Sequence, residues 1–192
     1  VSCWGNNSSA QLEPPDVKMS SVSCGGNQCC GVGYQQELFC WGQTISGQQP
    51  FSAQEVHVGS SHACSIGLDQ LIECWGNDFD NVISAPEGEF HFLAVGDYHS
   101  CALDTNGEIE CWGYDGHGRA TPPEGSFVQL DISEESGCAL DSNGEIHCWG
   151  YNRNGKNDSP EGTFIQVAQG YNFGCAIDTE GYISCWGSNN YG

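Results

Sequence analysis

Apolar and polar residues alternate in short stretches along most of this chain, and glycine-rich or polar turns separate the stretches. Three successive examples are Phe90–Val95, 98–103 and 108–112. A period of two residues is typical of β-strands, whereas a helix repeats its apolar positions about every 3.6 residues. The pattern therefore predicts an all-β protein with almost no helix. Composition agrees, since 27 residues are glycine and only one is methionine.

The triplet Cys-Trp-Gly marks a longer period. Its tryptophans are Trp4, Trp41, Trp75, Trp112, Trp149 and Trp186, so the steps are 37, 34, 37, 37 and 37 residues. A fixed period of this length is typical of repeat architectures. We expect a single repeat domain over 1–192. Its parts are a partial repeat at 1–9, repeats at about 10–42, 43–76, 77–113, 114–150 and 151–187, and a tail at 188–192.

The turn between the second and third strand of a repeat fixes their register. In 104–108, Asp stands first and Gly fourth, which favours a type I turn followed by a left-handed residue. This turn places Cys101 opposite Cys111, within the Cα distance that a disulfide needs. The same separation of ten recurs, and we predict one hairpin disulfide per repeat. The predicted pairs are Cys30 with Cys40, Cys64 with Cys74, Cys101 with Cys111, Cys138 with Cys148, and Cys175 with Cys185.

Three of the 13 cysteines, Cys3, Cys24 and Cys29, are left without an assigned partner. Cys24 can bond with either Cys3 or Cys29, which leaves at least one thiol unpaired or bonded to another chain. Zinc is the competing interpretation, but a pair of cysteines across one hairpin supplies only two ligands. We therefore predict no metal at these cysteines.

Cysteine content and charge restrict the setting and the partners. So many regularly spaced cysteines favour an oxidising compartment, so we predict a secreted, extracellular glycoprotein with no membrane-inserted segment. Candidate glycosylation sites are Asn6, Asn7 and Asn157. Four basic residues against 25 acidic ones give a formal charge of −21, which would repel a phosphate backbone. Nucleic acid is therefore excluded as the expected partner.

The segment from Val95 to Gly113 resembles the repeat of the regulator of chromosome condensation superfamily. Its residues read Val-Gly-Asp-Tyr-His-Ser-Cys-Ala-Leu-Asp-Thr-Asn-Gly-Glu-Ile-Glu-Cys-Trp-Gly. The following loop is similar to the short-repeat branch that includes β-lactamase inhibitor protein II. Cysteine before Trp-Gly also resembles the crinkly extracellular repeats of plant receptor kinases. This resemblance implies a β-propeller with four-stranded antiparallel blades.

The family commonly has seven blades, whereas this chain has five full repeats. Three interpretations remain open. The ring is smaller, blades are absent from this segment, or the ends of two molecules complete each other. The extra strand at Cys3 favours the last two, including self-assembly through the incomplete repeat.

Residues that recur in every repeat are most simply structural. His62 and His99 stand at one repeat position, and we expect both to be internal hydrogen-bonding groups. Asp104, Asp141 and Asp178 suggest calcium, but the turn already explains them and the spacing of a calcium loop is missing. We therefore predict no cofactor, with calcium as the weaker alternative.

The loops after Trp-Gly vary between repeats and carry the candidate binding residues. Aromatic and basic side chains gathered on one rim are typical of protein recognition. The candidates are Asp78, Phe79, Asp80, Tyr114, His117, Arg119, Tyr151, Arg153 and Lys156.

The sequence thus predicts a non-enzymatic, acidic propeller that binds a protein or glycan or acts structurally in an extracellular assembly. An enzyme inhibitor or receptor ectodomain is the alternative, and a hydrolase is a remote third.

Overall fold

The computed structural model describes residues 1–43, 47 and 49–189. Within them, consecutive strands group in threes as five separate antiparallel sheets, called blades 1 to 5 here. The strands are β1 (Met19–Gly25), β2 (Gln28–Gly33), β3 (Leu38–Gly42), β4 (Glu55–Val58), β5 (His62–Ile66), β6 (Ile72–Gly76), β7 (Phe90–Val95), β8 (His99–Asp104), β9 (Ile109–Gly113), β10 (Phe127–Ile132), β11 (Ser136–Asp141), β12 (Ile146–Gly150), β13 (Phe164–Gln169), β14 (Phe173–Asp178) and β15 (Ile183–Gly187). The predicted all-β repeat is confirmed.

Each described blade has three strands rather than the predicted four. Three of the loops that connect successive blades each contain a single 3₁₀ turn. These turns are Phe79–Asn81, Gly116–Gly118 and Arg153–Gly155. The middle residue of each turn has a φ of +52° to +66°. Such a residue interrupts an extended strand, and no fourth strand pairs with any of the five sheets among the described residues. Of the predicted tail 188–192, residues 190–192 lie outside the described part.

The predicted hairpin register is confirmed. Cys101 pairs with Cys111 and Leu103 with Ile109 across β8 and β9. Asp104 holds the turn, because its Oδ1 accepts the backbone N–H of Asn106 and of Glu108, both at 2.8 Å. Burial alone would raise the pKa of Asp104, but these bonds, with the Asn106 side chain, together hold it below its usual range. Asp141 and Asp178 make the same two backbone bonds in their blades.

All five predicted hairpin disulfides are present. They join Cys30 to Cys40, Cys64 to Cys74, Cys101 to Cys111, Cys138 to Cys148, and Cys175 to Cys185. Cys24 bonds to Cys29, which realises one of the two pairings left open, and Cys3 is a free thiol. Blade 1 therefore carries two disulfides where each other blade carries one.

The two cysteines of a hairpin pair differ in accessibility. In blades 1 to 4, the cysteine on the middle strand is completely buried. Its partner on the third strand is only partly buried, at Cys40, Cys74, Cys111 and Cys148, and in blade 5 the third-strand Cys185 is exposed. Sequence reasoning alone did not distinguish the accessibility of the two cysteines in each pair. The difference arises because the middle strand has a hydrogen-bonded neighbour on both sides, whereas the third strand is the edge of its sheet.

The core lies between blades rather than within them. Between blades 3 and 4, the face of Cys101 and Leu103 packs against Phe127, Leu130 and Trp149. Three equivalent clusters join the other neighbouring pairs. Burying apolar surface drives this stacking, so each repeat is stabilised mainly by its neighbours.

Four tryptophan indoles also bond back along the chain. Trp149 Nε1 donates to the carbonyl oxygen of Arg119 at 2.8 Å, thirty residues earlier. The same bond recurs from Trp41 to Gln11, from Trp112 to Val82 and from Trp186 to Lys156. The position thirty residues before Trp75 lies outside the described part of the chain. In these four repeats, the interblade loop is therefore fixed to the blade that follows it.

Blade 5 has one face without a neighbouring blade among the described residues, and there Phe173 and Ile183 are exposed. No helix within residues 1–43, 47 and 49–189 is long and apolar enough to cross a membrane.

Candidate binding surface at the loop rim

The variable loops after Cys-Trp-Gly share one rim of the row of blades. Each is bonded to the turn between the first two strands of its own blade. Tyr114 N–H donates to Tyr98 O, and Tyr151 N–H donates to Glu135 O, both at 2.9 Å. Each of these loops therefore lies beside the turn of its own blade.

A repeated side-chain bond gives these loops a fixed shape. Asp115 Oδ1 accepts the N–H of Ala120 at 2.8 Å, and Asn152 Oδ1 accepts the N–H of Asn157 at 3.0 Å. Asp78 Oδ1 makes the equivalent, longer contact to Ile83 N at 3.4 Å. Asp and Asn commonly stabilise turns in this way. The Asp78 carboxylate, predicted to contact a partner, is therefore used within its own loop.

Arg119 and Lys156 are not where the sequence predicted them. Arg119 is 4% exposed and Lys156 is fully buried, whereas both were predicted to lie on the binding rim. Arg119 Nη1 donates to Glu134 O at 2.9 Å, and Lys156 Nζ donates to Tyr171 O at 3.2 Å. Each acceptor lies fifteen residues later, in the next blade. These two side chains therefore connect neighbouring blades instead of facing a partner.

Carboxylates surround the two buried cations. Burial lowers the pKa of Lys156, while Glu135, whose Oε2 is 3.8 Å from Nζ, opposes that change. Burial raises the pKa of Glu134, and the neighbouring carboxylates of Asp97 and Glu135 raise it further. The raised pKa of Glu134 therefore reflects both its burial and the close spacing of carboxylates at this part of the rim.

Aromatic side chains lie along the rim in two groups of neighbouring rings. The aromatic row comprises Phe79, Tyr98, Tyr114, His117 and Tyr151. Phe79 lies 6.4 Å from Tyr98 and 6.0 Å from Tyr114 between ring centroids, and His117 stacks on Tyr151 at 4.4 Å. Phe79 is 52% exposed, and Tyr98 and Tyr114 are each 40% exposed. Rings this accessible and this close together can form one contact surface.

The structure thus separates the predicted site residues. Phe79 contacts Tyr114, and His117 contacts Tyr151, while Asp80 and Arg153 are exposed in the same loops. Sequence reasoning missed Tyr98. A usable signal existed, because extending the register of Cys101 and Cys111 by three residues places Tyr98 opposite Tyr114.

Of the two buried histidines, His62 links neighbouring blades, whereas the prediction for His99 is wrong, because neither of its ring nitrogens has a hydrogen-bond partner in the described part of the chain. His62 Nε2 lies 2.9 Å from Ser100 Oγ of the next blade. A serine beside a histidine is the geometry of some nucleophilic sites, but both side chains are fully buried. No substrate reaches Ser100, so this hydrogen bond is structural, as predicted for His62.

Burial strongly perturbs both histidines. Desolvation lowers the pKa of His62 to about 4. Desolvation, with smaller effects of Arg119 and His62, lowers the pKa of His99 to about 3. Both imidazoles are therefore neutral in the folded protein near neutral pH.

One group of potential metal ligands occurs in the described part of the chain. Ligand atoms of Asp141, Glu145 and His147 lie within 4.8 Å of one another on an accessible turn. Asp141 Oδ1 already accepts two backbone N–H groups there, as Asp104 and Asp178 do in blades without this histidine. The turn therefore explains the position of Asp141 without an ion.

The candidate glycosylation sites differ in their surroundings. Asn157 Nδ2 donates to Gly150 O at 3.1 Å, and Asn7 Nδ2 donates to Glu13 Oε1 at 3.1 Å. Asn6 is exposed, and its Oδ1 accepts the N–H of Ser8. Of the three, the Asn6 side-chain nitrogen is the best placed for modification.

Comparison with known proteins identifies the repeat. Residues 88–119, 127–156 and 164–192 match the regulator of chromosome condensation (RCC1) repeat.

Solved structures similar to this chain include two plant receptor ectodomains. The ectodomain of the receptor kinase CR4 from Physcomitrella patens is 27% identical, with a TM-score of 0.81, over 97% of this chain and 56% of that one. The crinkly ectodomain of the receptor kinase ACR4 from Arabidopsis thaliana is 25% identical, with a TM-score of 0.78, over 97% and 72%. This chain thus spans little more than half the length of the CR4 ectodomain.

The yeast protein Prp20p from Saccharomyces cerevisiae shares the fold. It is 14% identical, with a TM-score of 0.73, over 88% of this chain and 58% of that one. At that identity the likeness concerns the fold alone. Together these comparisons confirm the predicted propeller class.

Proposed function

We propose that this chain, an RCC1-like β-propeller in which three repeats match the RCC1 repeat, binds a protein partner outside the cell through the aromatic row. The six disulfides support the extracellular setting, because cytosolic thiols are normally kept reduced. The likeness to two receptor ectodomains supports the same setting.

The observation that carries the proposal is that some side chains of a rim loop stabilise its conformation while others are exposed to solvent. Asp115 and Arg119 hold the loop and connect it to the next blade, while Tyr114 and His117 are exposed in the same loop. The exposed rings therefore stand on a backbone that is already fixed. A preorganised surface loses less conformational entropy on binding, which favours recognition.

Binding rather than catalysis is the chemistry that these groups support. The row offers ring faces and hydrogen-bonding hydroxyls, which are the usual anchors of protein interfaces. The serine and histidine with nucleophile-like geometry, Ser100 and His62, are fully buried.

Site-specific photo-crosslinking tests this proposal. A photoreactive phenylalanine analogue is placed at Phe79, and in a separate variant at Tyr182, which is exposed on the hairpin turn of blade 5. Both variants are illuminated with the secreted protein fraction of the source organism. We expect a discrete adduct from position 79 and none from position 182.

Adducts of equal yield from both positions would contradict a binding role for the row. A neutral oligosaccharide array, probed with wild type and Phe79→Ser, covers the glycan alternative. Glycan binding that Phe79→Ser abolishes would keep the row as the binding surface and replace the protein partner.

Sedimentation of the purified chain tests the separate expectation of self-assembly.

A further inference from the structure

We propose that the aromatic row recognises a cationic segment of its partner, rich in arginine or lysine, by stacking the cations on its rings between flanking carboxylates. This inference rests on the proposed function and names the class of partner that the row accepts.

The structure contains an internal example of the same contact. The guanidinium carbon of Arg119 lies 4.8 Å from the centroid of Tyr114 and 5.9 Å from that of Tyr98. A cation within about 6 Å of an aromatic centroid is attracted by the negative charge of the ring face. The row thus already holds one guanidinium, and Tyr98 and Tyr114 remain accessible beside it.

Phe79 extends this surface away from Arg119. It contacts Tyr98 and Tyr114 edge to face or tilted, and it is the most exposed of these three rings. Its loop also carries Asp80, whose carboxylate is exposed. A cation placed against Phe79 would therefore have a carboxylate in the same loop.

The charge around the row indicates the sign of the charge that a partner should carry. Asp80, Asp97, Asp115, Glu134 and Glu135 all lie in the rim loops and turns. Two of the three cations in these loops, Arg119 and Lys156, are buried and bonded to backbone carbonyls. Arg153 alone of the three is exposed.

The whole chain reinforces this local field, with a formal charge of −21. Such a field attracts cationic partners and repels acidic ones over distances of about a Debye length. Charge complementarity therefore favours a basic protein segment over a neutral glycan or an acidic surface.

Fluorescence anisotropy with a short labelled peptide that alternates glycine and arginine tests the inference. The chain is acidic everywhere, so variants must separate the row from general attraction. Phe79→Ser and Tyr114→Ser remove rings without changing the net charge. Tyr182→Ser is the matched control, because it removes an exposed ring from another part of the molecule.

We expect the double variant Phe79→Ser/Tyr114→Ser to bind the peptide about tenfold more weakly, since each exposed cation–π contact contributes about threefold. Tyr182→Ser should bind like wild type. Near-ultraviolet circular dichroism and thermal unfolding of each variant check that the fold is intact, and Phe79→Ser alone remains informative if Tyr114→Ser unfolds.

Equal affinity of wild type and the double variant would overturn the inference. Equal weakening by Tyr182→Ser would also overturn it, because binding would then be general electrostatic attraction. If the peptide does not bind while position 79 still crosslinks to a partner, the proposed function stands and only the cationic class is wrong. If neither probe detects binding at the row, both are wrong.

Discussion

Acid should destabilise this protein through two buried histidines well before its carboxylates are protonated. An unfolded histidine has a pKa of about 6.5, whereas burial lowers the pKa of His62 to about 4 and that of His99 to about 3. Below pH 6.5, His62 and His99 therefore bind protons in the unfolded chain but remain neutral in the folded chain. Stability is fully present above about pH 6.5 and falls as the pH drops toward 4 and 3.

The magnitude follows from the two proton affinities. At pH 5 the unfolded form of each histidine is almost fully protonated and the folded form almost fully neutral. Linkage then gives a loss of about 2 kcal/mol per histidine relative to pH 7.5, or about 4 kcal/mol for the pair. Such a loss is a large part of the stability of an ordinary domain, which is about 5–15 kcal/mol.

Urea unfolding followed by tryptophan fluorescence, at several pH values between 5 and 7.5 with the disulfides intact, measures this loss. His62→Gln and His99→Gln remove the titration. Glutamine is a suitable replacement because Gln28 holds the same position in blade 1 and is buried. His91→Gln is the control, since His91 is exposed on β7.

Comparing each variant with wild type cancels the contributions of all other titrating groups. Each single variant should lose about 2 kcal/mol less than wild type between pH 7.5 and 5, and the double variant about 4 kcal/mol less. His91→Gln should follow the wild-type curve. Parallel pH profiles for wild type and the double variant would refute the reasoning.

Other measurements test the blade connections, the cysteine pairing and the turns. Arg119→Met should lower the free energy of unfolding by about 2–4 kcal/mol, because two backbone carbonyls lose a charged donor. Arg153→Met, in an exposed loop, should change it by less than about 0.5 kcal/mol, and equal urea midpoints would contradict the connecting role. Alkylation in denaturant without reduction should modify one thiol, Cys3, by intact mass, whereas three or more modified thiols would contradict the assigned pairing. Gly107→Ala should lower the melting temperature more than Gly118→Ala. Both glycines have positive φ, but a Cβ at 107 would lie 2.7 Å from a backbone oxygen, whereas one at 118 would meet nothing within 4 Å. Similar melting temperatures for the two variants would contradict this reasoning.

Disulfide pairing was predictable because the register of a hairpin is local. The Asp-x-x-Gly turn fixes which residues face each other, and Cys101 and Cys111 follow from it without knowledge of any other blade. By the same extension, Tyr98 could have been placed beside Tyr114.

The burial of Arg119 and Lys156 could not be predicted in this way. Their acceptors are backbone oxygens of Glu134 and Tyr171, which become neighbours only when the next blade packs. A repeat pattern shows that two residues are equivalent, but it does not show whether the shared position faces solvent. The number of strands per blade was likewise taken from a resemblance, whereas each described blade has three strands.

The bond from Trp149 and its equivalents to a carbonyl thirty residues earlier has a consequence for how such chains grow. A tandem duplication of 37 residues copies the hairpin, both cysteines of its disulfide, the indole and the carbonyl that receives it. The new unit therefore carries its own hairpin, disulfide and indole bond. Each duplication also adds a fresh pair of outward positions, equivalent to Tyr114 and His117, on which selection can act independently of stability.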